Sequence, residues 1–184
     1  MVQIAVTTLS QLCEHVAISG NREDLAEYAP VVVETRHGEG PIAGIEAGLE
    51  ACNSRWALFL PVDLPLLPVY FLAAWADAVL ALPAARTSYV SCNGNAHPAI
   101  SLVRRECLAE VRECIESGER SIQRVLQSLD GFCTVDAATI ADPTAAEVWL
   151  MNVNTPEQLA VAELTVREER CLRPQNRILP SIYS

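Results

Sequence analysis

The stretch WALFLPVDLP, residues 56–65, holds the first group that could do chemistry. An apolar run ends in a proline, and Asp63 then sits between Val62 and Leu64. A carboxylate at the carboxyl end of a strand can hold a hard cation such as Mg²⁺, which takes one or two carboxylates together with substrate phosphates. A loop aspartate that only accepts hydrogen bonds from nearby backbone N–H groups would have the same sequence signature. Asp63 has no acidic neighbour within its loop, so no pair of carboxylates for acid–base work is evident there.

A second stretch, HGEGPIAGIEAGL at 37–49, suits an anion. Gly38 and Gly40 loosen a loop, Pro41 launches a helix, and the free N–H groups of a helix start attract negative charge. Gly44 and Gly48 lie four apart on one helix face, where a missing side chain permits close approach. Tight packing of helix on sheet explains those two glycines equally well. The stretch lacks the G-K-[ST] ending of a P-loop.

Four polar residues are further candidates. Asn152 and Asn154 flank Val153 and would point the same way from a strand. His97 precedes Pro98 at a strand start, where a histidine either does acid–base work or is a hydrogen-bonded structural residue. Asn21 follows a short apolar strand, where it could bond a nucleobase or cap the next helix. No Ser-His-Asp or Cys-His arrangement can be argued from spacing. The seven cysteines include no C-x-x-C pair, so they read as free thiols that pack as small hydrophobes.

These residues need elements to position them. Strands are expected at 15–19, 31–34, 56–60, 87–92, 97–103, 132–136 and 147–153. Helices are expected near 22–29, 41–52, 68–82, 104–117, 121–129 and 155–164. Asn93-Gly94 is the turn of a hairpin. Thr155, Pro156 and Gln158 fit the N-cap, first and reciprocal positions of a capping box. Strands alternating with helices argue for a layered α/β domain with a mainly parallel sheet, in which ligands bind beyond the carboxyl ends of the strands. Asp63, the turn before Gly40 and Asn154 all fall there. A single domain over 1–165 is expected, with a loose tail over 166–184.

Composition narrows the class. The formal charge is −10 and all 13 basic residues are arginine. No basic patch suits a nucleic acid, and no lysine is present for a catalytic role. No apolar run approaches bilayer length, and residues 1–16 have neither a basic leader nor a cleavage site, which implies a cytoplasmic protein with no membrane association.

Taken in order, GPIAGIEAGLEA, WALFLPVDLPLLP, HPAISLVRRE, ESGERSIQRVL and LMNVNTPEQLA resemble blocks of the molybdenum cofactor guanylyltransferases, within the MobA-like nucleotidyltransferases. The resemblance covers most of the chain. It implies a three-layer Rossmann-like nucleotidyltransferase fold. It also implies transfer of GMP from GTP to molybdopterin or Mo-molybdopterin, with Mg²⁺ and release of pyrophosphate. Asp63 matches the family's metal-binding aspartate. Asn21 matches a residue near the guanine, and Gly40, Pro41 and Gly44 line the nucleotide side. His97, Asn152 and Asn154 border the pterin side. Molybdoenzymes or other proteins of the cofactor pathway are the implied protein partners.

The resemblance also implies a first strand followed by L-A-G-G-x-S-x-R-M-G-x-D-K, and residues 1–184 contain no such motif. Met1 matches a point within the helix after it. The aspartate expected after VVVE is Thr35. Losing one preorganised charge-stabilising donor typically costs ~3–4 kcal/mol of barrier, so residues 1–184 alone are expected to transfer little or nothing. A start codon set too late is favoured over a decayed relative, because the downstream blocks are intact. Three other functions stay open: a cytidylyltransferase of the same family, a non-catalytic molybdopterin-binding relative, and a phospho-receiver module. The missing lysine and the order of the blocks oppose the last.

Overall fold

The computed structural model describes residues 1–36, 38–153, 155 and 158. It opens with helix α1, Val2–Leu9, where the resemblance places a helix. Strand β1, Ile18–Ser19, and strand β2, Val31–Val32, follow around a 3₁₀ turn at Glu23–Glu27. Both strands are shorter than their apolar runs suggested, because only Ile18↔Val31 and Ser19↔Val32 pair, in parallel.

Helix α2, Pro41–Ala51, then leads to strand β3, Trp56–Phe59. Pro41 stands at the start of α2, where its missing N–H and fixed φ cost nothing. Helix α3, Val69–Leu80, starts one residue after Pro68, which is its N-cap. Its apolar residues occupy most of its circumference, and Phe71, Leu72, Trp75 and Val79 are fully enclosed.

Strands β4, Thr87–Cys92, and β5, Asn95–Arg104, form the predicted hairpin. Asn93 and Gly94 both take positive φ, 49° and 79°, which suits the twist of a two-residue hairpin turn. The ladder slips between Tyr89 and Val90, so that Tyr89 faces Ser101 while Val90 faces His97. Pro98 lies in the slipped segment, where its lack of an N–H donor loses no ladder bond. Helices α4, Leu108–Glu116, and α5, Ile122–Ser128, strand β6, Phe132–Asp136, and helix α6, Pro143–Trp149, complete the described elements.

Helix α6 corrects one expectation. Residues 147–153 are not a strand: Glu147 to Trp149 end a helix, and residues 150–153 follow it without ladder partners. The start signal lies upstream, in Asp142-Pro143. The Asp142 carboxylate accepts from the N–H groups of Thr144 and Ala145 at 3.0 and 3.1 Å, and Pro143 opens the first turn. The helix delivers Trp149 onto Phe71 and Tyr70, with both ring-centroid distances 5.7 Å.

Four strands form one sheet in the order β3-β5-β4-β6, and β1-β2 form a second. β3, β4 and β6 run the same way and β5 alone is reversed, so the mainly parallel reading holds by strand direction. Helices α2, α4 and α5 enclose one apolar cluster, with Ile42, Leu49, Ile115 and Leu126 at its centre. Helices α3 and α6 enclose the other, around Phe71, Trp75 and Trp149. The result is a three-layer Rossmann-like α/β fold. Among the described residues no strand pairs with the other side of β1, and β1 and β3 are not paired with each other. Helix α2 spans both sheets: Gly44 meets Ser19 of β1, and Gly48 meets Phe59 of β3. The proposed boundary between 165 and 166 lies outside the described residues.

Candidate active site

Asp63 stands four residues beyond β3, in the loop that leads to α3. Its main-chain carbonyl accepts from the N–H of Val153 at 2.8 Å. One backbone bond thus stitches the segment after α6 to the aspartate loop and brings Asn152 and Val153 to Asp63, although Asn152 is not on a strand. Val153 is buried and anchors the segment, while Asn152 is exposed. Asn154 lies outside the described residues.

The Asp63 carboxylate is half-buried and makes no hydrogen bond or ion pair with another described residue. This disfavours the reading in which it merely caps backbone N–H groups. Among the described residues no group of three or more His, Cys, Asp or Glu could hold a metal by itself. A lone carboxylate in this position can contribute to a Mg²⁺ site, since Mg²⁺ takes one or two carboxylates together with waters and substrate phosphates.

Gly40 caps α2 with φ 72°, a backbone region open to glycine at little cost. Among the described residues no side chain caps this helix start; Pro41 has no N–H to satisfy, and the Ala43 N–H donates to the Gly40 carbonyl at 3.1 Å. Gly44 is explained by packing: the Ser19 hydroxyl donates to its carbonyl at 3.0 Å, and a Cβ there would meet Glu34 Oε1 at 3.2 Å. Asn21 is exposed beyond the end of β1, and the 3₁₀ turn is capped by Arg22, so Asn21 is not the helix cap. His97 lies on β5 opposite Val90, half-buried, and burial pushes its imidazole pKa below the ordinary value.

Sequence spacing missed the side chains that hold the loop before Pro41. Arg36 donates to Glu46 at 2.8 Å and to Glu116 at 3.0 Å. Glu39 pairs with Arg120. Glu46 is buried on α2 and takes Arg36 on one oxygen and Arg112, at 2.9 Å, on the other. The loop before Pro41 is thereby tied to α2 and to the turn between α4 and α5. No local signal could reveal a bond between residues 36 and 116. Glu34, whose carboxylate lies against Gly44 and Ser19, was also missed.

Residues 1–132 match the MobA-like NTP transferase domain. The chain belongs to that family. It is 34% identical over 147 residues to the molybdenum cofactor guanylyltransferase of Pseudomonas aeruginosa, covering 79% of this chain and 70% of that one. The protein of the same name from Ectopseudomonas mendocina is 34% identical over 150 residues, covering 79% of this chain and 68% of its own length. The solved structure of molybdopterin-guanine dinucleotide biosynthesis protein A from Archaeoglobus fulgidus matches with a TM-score of 0.69 at 18% identity, covering 90% of this chain and 86% of that chain. A structure from Aquifex aeolicus matches with a TM-score of 0.71 at 20% identity, covering 84% and 78% of the two chains. These MobA-like relatives make the chain a nucleotidyltransferase by family, and the two structures share its fold. Among the described residues no helix is long and apolar enough to cross a membrane.

Proposed function

We propose that this member of the family transfers GMP from GTP to molybdopterin or Mo-molybdopterin, forming the guanine dinucleotide cofactor and pyrophosphate. The observation that carries the reading is Asp63: a half-buried carboxylate free of described protein partners, beside the segment that Val153 ties to it. Asp63 would hold Mg²⁺, which when bound offsets the negative charge of the triphosphate. Gly40, Pro41 and Gly44 border the nucleotide, and Asn21 lies near the base. His97, Asn152 and Asn154 border the pterin. The neutral imidazole favoured by burial at His97 can both donate and accept a hydrogen bond there.

Glu34 supports guanine over cytosine. Thr35 replaces the aspartate expected after VVVE, yet Glu34 brings a carboxylate to the adjacent position, against Gly44. A carboxylate's two oxygens suit the neighbouring N1–H and N2–H donors of guanine, whereas cytosine presents one exocyclic donor.

The phosphate cradle of the family motif is not among residues 1–184, so binding tests the reading more directly than turnover. Titration calorimetry with GTP and CTP, with and without Mg²⁺, is the measurement. Binding of GTP that strengthens with Mg²⁺, weakens about tenfold or more in Asp63→Asn and loses its preference over CTP in Glu34→Gln is the expected result. Metal-dependent GTP affinity unchanged by Asp63→Asn would defeat the assignment.

A further inference from the structure

An open hollow of about 720 Å³ lies at the amino end of β3, the end opposite Asp63. Arg55 and Arg105 line one side of it, with Asn53 and Ser54 beside them, and Leu108 and Ala109 form an apolar strip. The two arginines are fixed as neighbours because the Arg105 N–H donates to the Arg55 carbonyl at 3.0 Å.

Their charges are available in a way the other described arginines' charges are not. Of nine described arginines, seven make ion pairs, and Arg55 and Arg105 make none with described residues. Two more charged groups border the hollow and both are engaged. Arg112 is held by Glu46 and by Glu50, the latter at 2.7 Å. Glu106 is held by Arg86 and Arg104 at 3.2 and 3.5 Å. In a chain of formal charge −10, two exposed arginines around a hollow with no ion pair to a described residue are a local exception among the described residues.

We propose that this hollow docks an acidic segment of a partner protein. Arg55 and Arg105 take its carboxylates through forked hydrogen bonds, and the Leu108–Ala109 strip takes an apolar side chain between them. A lone inorganic anion fits less well, because it fills only a small part of such a volume and leaves the apolar strip uncovered. Arginine beside an apolar strip is the composition of a protein-docking patch. Complementary charge would steer the acidic segment to this spot on a chain that repels it elsewhere.

The test uses the whole chain and a fluorescein-labelled twelve-residue peptide of alternating Glu and Leu, followed by anisotropy at low and high salt. The expected result is binding that weakens with salt, vanishes when every Glu is replaced by Gln, and falls at least tenfold in the Arg55→Glu, Arg105→Glu double variant. Arg22→Glu, which removes a paired arginine elsewhere, should bind like the wild type. Should the double variant fail to fold by circular dichroism, Ala109→Glu keeps both arginines, sets a like charge in the hollow, and is expected to weaken binding at least tenfold. Absence of binding to the wild type, or unchanged binding in the arginine variants or in Ala109→Glu, would overturn the proposal. So would inorganic triphosphate that displaces the peptide at an equimolar amount, since the site would then be one for small anions.

Discussion

A Cβ on Gly48 would lie 2.6 Å from the Phe59 ring, too close for any real contact. Alanine at this position would gain about 1 kcal/mol of helix propensity, while overpacking typically costs about 1–3 kcal/mol. The expected net effect of Gly48→Ala is a loss near 1 kcal/mol, read from the midpoint of urea unfolding at constant slope. Gly40 differs, because its backbone φ rather than the space around it requires glycine. His97 gives the fold a pH dependence of known sign. Burial lowers its pKa in the folded state, so the unfolded chain binds the proton more tightly. Its contribution to stability is complete above the unfolded value of about 6.5 and is lost as the pH falls below that. Thermal melting between pH 8 and pH 5 is expected to show this decline, and His97→Gln to flatten it.

Glu46 shows how elements hold the site. A carboxylate on the buried face of α2 would be costly alone, and it is tolerated because Arg36 and Arg112 occupy both oxygens. Arg36 comes from the loop after β2 and Arg112 from α4, so one residue locks three elements. Both arginines keep partial contact with solvent, which reduces the cost of freeing them. Glu46→Gln is expected to destabilise by about 1–2 kcal/mol by chemical denaturation and to increase protease cleavage between Thr35 and Gly40. The end of the described chain carries a smaller lock that was readable from local spacing. The Thr155 N–H donates to Gln158 Oε1 at 3.1 Å, and the Gln158 N–H donates to the Thr155 hydroxyl at 3.2 Å, as a capping box requires.

At the scale of the whole molecule, stability is uneven across the two sheets. β4 and β5 are paired on both sides, whereas β1 and β2 share a ladder of two residue pairs. The N–H groups of Ile18 and Gly20 donate to Pro30 and Val32, and opening them breaks few other contacts. Native-state hydrogen exchange is expected to run about tenfold or more faster at Ile18 and Gly20 than at Leu102 and Val103. Equal protection would mean that β1 and β2 open only with the rest of the fold. Asp63 lies beyond β3, a strand that among the described residues pairs only with β5, so the candidate site is at the margin of the stronger sheet.

Sequence alone determined what depends on near neighbours. Asn93-Gly94 specified a hairpin because both positions need positive φ, and Pro41 after Gly40 marked a helix start because proline loses nothing there. Asp63 stood out because a carboxylate interrupts an apolar stretch, and the ordered blocks identified the family. Local reading failed where the deciding contact lay elsewhere. Residues 147–153, mostly apolar, resembled a strand, but Asp142-Pro143 started a helix and Trp149 found Phe71. Only the tertiary structure joined Val153 to Asp63, set Glu34 against Gly44, tied Arg36 to Glu116 and left Arg55 beside Arg105 without ion pairs to described residues. Each of these depends on where the layers bring distant residues together, and neither spacing nor period encodes that meeting.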